Sequence, residues 1–302
     1  MTIITFGQKI NSDIALALGF FDSVHIGHRA VISKAVDFAK THNIKSAVLT
    51  YSNNPFDALG IDQKLIFTFE ERLEKFEDLG VDFVIHQDFD QNIKQKDKLA
   101  FAEELINIYG LKYAVCGQDY RFGKDGLGDV EFLRDFFGRH SIQFDALNFV
   151  KEQGFKISSS DIRKLISDGD IKQANKLLGE PFYMRGRVAK GNGCGKSLGF
   201  PTINFDINLD KILPRKGVYI TKTIVDGKSY ISITNVGDRP TFSDNRETIE
   251  THILGLEENL YNRDIKIEFY DYLRPISKFE NIERLTERLK LDVKAAQDYF
   301  RR

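Results

Sequence analysis

Residues 14–43, IALALGFFDSVHIGHRAVISKAVDFAKTHN, decide the fold of the first half of the chain. The short apolar run at residues 14–20 is typical of a buried strand, and residues 29–43 carry apolar side chains at helical spacing. A glycine-containing turn joins the two, and it holds His25 and His28, three residues apart. The stretch therefore predicts a strand, a turn and a helix, which is the first part of a βαβ unit.

The same alternation continues to about residue 180. SAVLTY (46–51) and DFVIHQ (82–87) are strand-like, and TFEERLEKFEDLG (68–80) begins with Thr68 and Glu71 at the spacing of a capping box. Three further segments follow the same order: KLAFAEELINIYG (98–110), KYAVCG (112–117) and VEFLRDFFGRH (130–140). Strands that alternate with helices favour an α/β fold, a largely parallel, Rossmann-like sheet with helices on its faces.

The pattern changes after Pro181. Two strand-like runs, residues 217–225 and 228–237, flank Asp226-Gly227, which is a strong signal for a two-residue hairpin. Short β-rich runs at 185–191, 202–207, 247–254 and 265–273 favour an antiparallel barrel or sandwich. A last helix is predicted from apolar residues three or four apart: Ile282, Leu285, Leu289, Val293, Ala296 and Phe300. We therefore predict two domains, residues 1–181 and 182–302.

Composition excludes several classes of protein. The 302 residues are 42% hydrophobic and 29% charged, with a net charge of -1, so no basic surface for nucleic acid or anionic membrane is expected. Two cysteines fit a reducing compartment. The N-terminal MTIITFGQKINSD does not resemble a signal peptide, and no apolar run reaches the ~18 residues of a membrane span. We expect a cytoplasmic protein.

The turn with the two histidines is a candidate anion site. A βα turn presents backbone N–H groups and the positive end of a helix dipole, and two imidazoles there could donate hydrogen bonds to phosphate oxygens. A histidine pair is more often surface or core, and zinc is a rival interpretation. Zinc needs three or four ligands, and neither cysteine lies at ligand spacing to these histidines.

Two more stretches carry polar groups to the ends of elements. GQDYRFGKDGLGD (117–129) follows a predicted strand, and ISSSDIRKLI (157–166) places three serines before a helix that contains Arg163. The first could be an ordinary polar loop and the second an ordinary capped helix. Hydroxyl groups, backbone N–H groups and an arginine at a helix start can also form a phosphate cradle.

Together these motifs resemble the nucleotidyltransferase superfamily, and specifically the FMN adenylyltransferase module of bacterial bifunctional riboflavin kinase/FAD synthetases. The resemblance implies that His25, His28, Ser158, Ser159 and Arg163 hold the phosphates of ATP. It also makes Gly19, Phe20, Asp22, Gly117 and Asp119 candidate nucleotide-binding residues. The chain departs from the family pattern at Ser23 (usually Gly), at Ser160 (usually Thr) and in TYSNNP (50–55), which keeps only Thr50 and Pro55 of a TFxPxP-like segment.

GNGCGKSLGFPTINF (191–205) contains GKS but is not a P-loop. Lys190 stands where a P-loop needs its first glycine, and the β-like LGFPTINF follows instead of a helix. Gly193 and Gly195 let backbone N–H groups approach phosphates closely. Thr202 and Asn204 alternate along a strand, so their oxygens would share one face and could ligate Mg²⁺.

This second half resembles the riboflavin kinases, whose motif is usually GxGRGRxLGFPTAN. Cys194 and Lys196 replace two arginines of that pattern, and Lys196 remains a candidate nucleotide-binding residue. The resemblance implies that Glu250 is the catalytic glutamate, which would accept the proton of the ribityl 5′-hydroxyl. His252 would share its face and is given no role.

The sequence thus predicts a bifunctional enzyme acting on riboflavin, FMN and ATP with Mg²⁺. Two alternatives stay open: a nucleotidyltransferase for another phosphorylated acceptor such as phosphopantetheine, and a flavin-binding sensor without catalysis. Protein partners cannot be inferred from the sequence.

Overall fold

The computed structural model describes residues 1–152, 155–189, 199–205, 208, 210–238 and 247–301. The chain forms two compact units, Met1–Ser159 and Ser160–Arg302. The backbone thus divides before residue 181, where the sequence predicts the domain boundary, and two helices lie between the two positions. The boundary at residue 181 stays a prediction about which residues carry each activity.

The first unit is built on a six-stranded sheet in which every neighbouring pair is parallel. Its strands are β1 (Thr2–Thr5), β2 (Asp13–Leu18), β3 (Lys45–Tyr51), β4 (Phe83–Gln87), β5 (Gly110–Gly117) and β6 (Gln143–Leu147). They lie in the order β1-β4-β3-β2-β5-β6. The predicted parallel sheet is confirmed, whereas the edge strand β1 was not predicted from the sequence.

The helices of this unit are α1 (Ile26–His42), α2 (Pro55–Ala58), α3 (Phe69–Asp78), α4 (Gln91–Lys94), α5 (Lys98–Ile108) and α6 (Val130–Arg139). A short pair, β7 (Lys151–Glu152) and β8 (Phe155–Lys156), follows. Leu16 and Leu18 of β2 pack in one apolar cluster, and Ala15 and Ala17 pack in another. The strand is apolar throughout because helices cover both faces of the sheet.

The second unit contains a closed six-stranded barrel in the order β10-β13-β12-β11-β14-β9. Its strands are β9 (Tyr183–Ala189), β10 (Thr202–Phe205), β11 (Gly217–Val225), β12 (Lys228–Asp238), β13 (Glu247–Ile253) and β14 (Asp264–Arg274). The helices are α7 (Ser159–Asp168), whose first residue still belongs to the first unit, α8 (Ile171–Leu178) and α9 (Ile282–Arg301). Asp226 and Gly227 have φ of 47° and 76°, so the predicted hairpin turn between β11 and β12 is confirmed.

The interior of the barrel contains a chain of hydroxyl groups, which we call the hydroxyl ladder. Its members are fully buried and bonded to one another at 2.8–2.9 Å: Thr221, Thr223, Ser232, Thr234 and Thr251. On the outer face, Ala296 of α9 packs against Val218, Ile220 and Ile233. Residues that alternate along a strand therefore point either to the ladder or to the outside.

Helix α9 is also attached to the barrel by charge. The Arg274 guanidinium of β14 donates to both carboxylate oxygens of Asp292, at 2.7–3.1 Å, and Arg288 donates to the same carboxylate at 3.1 Å. Asp292 is 1% exposed, and these two partners offset the cost of burying its carboxylate. No helix within the described ranges is long and apolar enough to cross a membrane.

Candidate active sites

The loops after β2 and β5 meet at the carboxyl edge of the parallel sheet. These strands are neighbours, with Leu18 beside Cys116, and the strand order reverses between them. The loop after β2 ends at His25, and His28 follows in the first turn of α1. Strand β5 ends at Gly117, from which the other loop continues to Asp119. Such a reversal point is where open α/β sheets bind their ligands. The structure thus brings the first two sequence motifs to one edge.

The turn after β2 is tightly built. A Cβ on Gly19 would lie 2.7 Å from the Phe21 ring, so only glycine fits there without movement. Phe21 and Val24 have φ of 55° and 41°, a left-handed conformation that is unusual for bulky and β-branched residues. Each such residue costs about 1–3 kcal/mol, and strain of this kind occurs mainly at functional sites.

His25 and His28 form a stacked pair at the start of α1. Their ring centroids are 3.7 Å apart with an interplanar angle of 17°, and the edge of His28 meets Phe21 at 5.3 Å. His25 caps the helix, since its Nδ1 accepts the backbone N–H of His28 at 3.1 Å. A neutral ring whose Nδ1 accepts carries its proton on Nε2. The Nε2–H is therefore the donor group of a neutral His25 ring.

The pKa of His28 lies well below its ordinary value of 6.5. Burial is the main cause, and the nearby charges of His25 and Arg72 lower the pKa further. Its Nδ1 is buried and has no hydrogen-bond partner among the residues described. His28 is thus a neutral imidazole at pH 7, with one N–H to donate.

Two candidate binding residues of this turn are engaged with other parts of the unit. The Asp22 carboxylate is 2% exposed and accepts the backbone N–H of Ile66 at 3.1 Å. The Phe20 carbonyl accepts the Thr50 hydroxyl at 2.7 Å and Nη1 of Arg72 at 2.9 Å. Asp22 and the Phe20 backbone therefore hold the turn in place, while the Phe20 side chain remains half-buried at the edge.

Arg72 of α3 is a residue that the sequence did not single out. It is fully buried, and besides the Phe20 carbonyl it donates to the Thr50 hydroxyl at 2.8 Å and to the Tyr51 carbonyl at 2.8 Å. Burial lowers its pKa to about 10, against the opposing effect of Asp22. One guanidinium thus joins the loop after β2 to the end of strand β3, and its charge acts on His28.

The loop after β5 is also folded back on itself. Tyr120 donates its backbone N–H to the Gly117 carbonyl at 3.0 Å, and a Cβ on Gly117 would lie 3.1 Å from Oδ1 of Asp119. Phe122 and Gly128 form an antiparallel bridge across the loop. Asp119 is exposed at the carboxyl edge of the sheet. This glycine-rich segment is therefore an ordered turn rather than an irregular surface loop.

The third motif begins beside the histidine turn. Ser159, the first residue of α7, has its hydroxyl 2.9 Å from that of Ser23. Ser23 is one of the departures from the family pattern, and the glycine usual at that position has no hydroxyl to make this bond. Ser158 is half-buried, and Arg163 lies one turn further along α7 with 8% of its surface exposed.

The barrel places its candidate residues by strand register. Asn204 of β10 lies directly opposite Glu250 of β13, and Thr202 lies opposite His252. Residues opposite each other share a face, with Cβ atoms about 4.5–5.5 Å apart. Thr251 belongs to the interior hydroxyl ladder, so Glu250 points to the outer face with Asn204 and Thr202. Glu250 and Asn204 are half-buried, and Thr202 is exposed.

A third polar residue stands in the same row and was missed in the sequence. Asn235 of β12 lies directly opposite Glu250 on the side away from Asn204, and it is half-buried. Strand register alone would have found it. His252 uses Nδ1 for a hydrogen bond of 2.9 Å with the Pro201 carbonyl. The predicted residues Gly193, Gly195 and Lys196 lie outside the described residues.

Comparisons with known proteins agree with this geometry. Residues 7–161 match the family model for FAD synthetase, and residues 178–300 match the model for riboflavin kinase. The chain is 34% identical to the bifunctional riboflavin kinase/FMN adenylyltransferase of Bacillus subtilis (strain 168), over 94% of this chain and 92% of the relative. It is 32% identical to the protein of the same name from Listeria monocytogenes, over 98% and 96% of the two chains.

A solved structure shares the fold. It is described as a macrolide-efflux protein from Streptococcus pneumoniae, has 28% sequence identity and a TM-score of 0.91, and the match covers 98% of this chain and 99% of that one. The two family models occupy the sheet unit and the barrel unit in turn, and the curated relatives extend over nearly the whole chain. The chain belongs to the family of bifunctional riboflavin kinase/FMN adenylyltransferases.

Proposed function

We propose that this chain phosphorylates riboflavin with ATP to give FMN, and then transfers AMP from a second ATP to FMN, giving FAD and pyrophosphate. The observation that carries the proposal is the strand order of the sheet, which brings the histidine turn and the Gly117–Asp119 loop to one edge. The register that sets Glu250 opposite Asn204 supports the kinase step in the same way.

Adenylyl transfer is a displacement at the α-phosphorus of ATP. An FMN phosphate oxygen forms the new bond, the bond from the α-phosphorus to the bridging oxygen of the β-phosphate breaks, and pyrophosphate leaves. The Nε2–H of His25 and the single N–H of the neutral His28 ring would donate to the phosphate oxygens on which charge builds up. Ser158, Ser159 and Arg163 are the proposed further ligands of the phosphates.

Two of the nucleotide-binding candidates, Gly19 and Asp22, are proposed to shape the binding turn rather than to contact the nucleotide. Gly19 permits the close turn, and the buried carboxylate of Asp22 supports it through Ile66. Gly117 and the exposed Asp119 stay candidates for direct contact with the nucleotide. The Phe20 side chain is available at the edge, whereas its carbonyl is already bonded to Thr50 and Arg72.

The kinase step is a displacement at the γ-phosphorus of ATP by the 5′-hydroxyl of riboflavin. Glu250 would orient that hydroxyl and take its proton as the oxygen–phosphorus bond forms and ADP leaves. Thr202 and Asn204 offer two neutral oxygens on the same face, a donor set that fits Mg²⁺, which prefers few protein ligands together with nucleotide phosphates. Mg²⁺, when bound there, neutralises phosphate charge. Gly193, Gly195 and Lys196 remain proposed contacts to ATP.

We assign adenylyl transfer to residues 1–181 and the kinase to residues 182–302, in a cytoplasmic enzyme. Helix α8 nevertheless supports the barrel, since Asn175 donates to the Phe269 carbonyl at 2.8 Å and accepts the Phe182 backbone N–H at 2.7 Å. A fragment made to test the kinase alone should therefore begin at Ser160, before both helices.

The test is a single incubation of the protein with riboflavin and Mg-ATP, followed by chromatographic separation of the flavins. We expect FMN to appear first and FAD after it. No conversion would favour a flavin-binding sensor. Adenylylation of phosphopantetheine, but not of FMN, would favour a nucleotidyltransferase with a different acceptor.

A further inference from the structure

Aromatic side chains line the carboxyl edge of the sheet beside the histidine turn. Phe20 follows β2, Tyr51 ends β3 and Phe89 follows β4, and we call these three residues the aromatic row. The ring centroids of Phe20 and Tyr51 are 6.2 Å apart, and those of Tyr51 and Phe89 are 4.9 Å apart at an angle of 72°. All three rings are half-buried, so each keeps an accessible part.

The segment that departs from the family pattern holds one end of this row. Asn53 pairs with the backbone of Phe89 in both directions: its Oδ1 accepts the Phe89 N–H at 2.7 Å, and its Nδ2 donates to the Phe89 carbonyl at 3.2 Å. Ser52 donates its hydroxyl to Asp88 at 2.6 Å and its backbone N–H to the Gln87 carbonyl at 3.0 Å. The loop after β3 is thus tied to the loop after β4.

The next residue extends this bonding to the other end of the row. Asn54 caps α2 by accepting the Phe56 backbone N–H at 3.2 Å, and its Nδ2 donates to the Gln63 carbonyl at 2.9 Å. Phe56 packs edge-on against Phe20, with centroids 6.1 Å apart. Side-chain amides therefore fix the segment that a TFxPxP sequence would stiffen with prolines.

We propose that Asn53 is a positioning residue for the flavin acceptor of adenylyl transfer, acting through Phe89 and Tyr51. The inference rests on the proposed function, because it takes the planar ring system of FMN as the occupant of the aromatic row. β3 lies next to β2, so the row adjoins the histidine turn. Planar aromatic surfaces bind one another in offset or edge-on contacts, which lose strength when one ring is free to move.

The test compares Asn53→Ala, which loses both bonds to Phe89, with Asn53→Asp, which keeps only the acceptor. Asn53 is exposed, so both variants should fold. We expect the KM for FMN in adenylyl transfer to rise about 5- to 30-fold in Asn53→Ala and less in Asn53→Asp, as two or one hydrogen bonds are lost. The KM for ATP and the formation of FMN from riboflavin should stay within twofold.

The matched control is Asn92→Ala on α4, an exposed asparagine whose Nδ2 donates within its own helix start, to Asp90 at 3.2 Å. It should behave like the parent. An unchanged KM for FMN in Asn53→Ala, or an equal rise in both KM values, would overturn the proposal.

Flavin-fluorescence quenching measures FMN affinity in parallel, without turnover. A parent protein that binds FMN but makes no FAD would refute the proposed activity. In that case the affinity ratio of parent to Asn53→Ala still decides the role of Asn53, with a ratio near one counting against it.

Discussion

The barrel site draws its residues from paired strands, whereas the sheet site draws them from loops. Asn204, Glu250 and Asn235 stand in one row because β10, β13 and β12 are hydrogen-bonded in register. His25 and His28 stand where they do because of a strained turn, a helix cap and the buried Arg72. The barrel site therefore depends on backbone hydrogen bonds between paired strands, and the sheet site depends on individual side-chain and loop contacts.

This difference has a consequence for tolerance to substitution. A side chain on a paired strand can be exchanged while its neighbours stay in place, because backbone bonds fix the position. The loop site depends on groups far away in sequence, such as Arg72, which is 52 residues from the Phe20 carbonyl it binds. Variants in the barrel site should therefore change chemistry alone, and variants in the sheet site should change chemistry and conformation together.

The largest effect is expected for Glu250→Gln. Gln keeps the shape but cannot take a proton, so FMN formation should fall by about 10²- to 10⁴-fold. Adenylyl transfer to supplied FMN should be unchanged, which initial-rate assays of both activities will measure. Glu268→Gln, a glutamate on strand β14, serves as the control. A Glu250→Gln variant as fast as the parent would show that the base lies elsewhere.

A smaller effect is expected for His28→Ala in the sheet site. Loss of one donor to the phosphates should lower adenylyl transfer by about 10²- to 10³-fold, by analogy with other donors to developing charge. FMN should then accumulate, since the kinase residues are untouched. His42→Ala at the far end of α1 is the matched control. Equal loss of both activities would mean that the substitution had unfolded the chain.

The smallest effect is expected for the dependence of stability on pH, which tests whether His28 is buried and neutral in the sheet site. The pKa of His28 in the folded protein is below its ordinary value of 6.5, so the unfolded chain takes up a proton first as the pH falls. The contribution of His28 to the free energy of unfolding therefore keeps its full value above pH 6.5. Below pH 6.5 it falls by about 1.4 kcal/mol per pH unit until the pH reaches the pKa of His28 in the folded protein.

Denaturant unfolding of the parent and of His28→Asn between about pH 5 and 7.5 will measure this slope. We expect the parent to lose stability more steeply than the variant below pH 6.5. Parallel curves would contradict a buried, neutral His28.

Much of the fold could be predicted because local signals agree with the final structure. The Thr68–Glu71 capping box, the Asp226-Gly227 turn and the alternation along β13 each act over a few residues, and each is present. The row of Thr202, Asn204 and Glu250 follows from period-two geometry once the strands are paired.

Other features could not be predicted because their partners are distant in sequence. Arg72 occurs in a charged helix, EERLEK, where a solvent-exposed side chain is expected. It is nevertheless fully buried, because one oxygen of the loop after β2 and two oxygens at the end of β3 accept its hydrogen bonds. Asp292 is similar, since its partner Arg274 of β14 is 18 residues away.

Helical spacing also misplaced one residue. Ile282 was predicted on the apolar face of α9, but it is 62% exposed at the start of the helix.

The hydroxyl ladder inside the barrel constrains how this protein can evolve. Threonine and valine have nearly the same shape, so an apolar interior is only a few substitutions away. A single Thr→Val change, for example at Thr234, removes the bond that holds the Thr251 hydroxyl in the ladder, at a cost of about 1–3 kcal/mol, whereas Thr221 keeps its bond to Ser232. Replacing bonded partners together can be nearly neutral. Ladder positions are therefore epistatic: lineages should keep the whole set or exchange it as a group, and half-exchanged interiors should be rare.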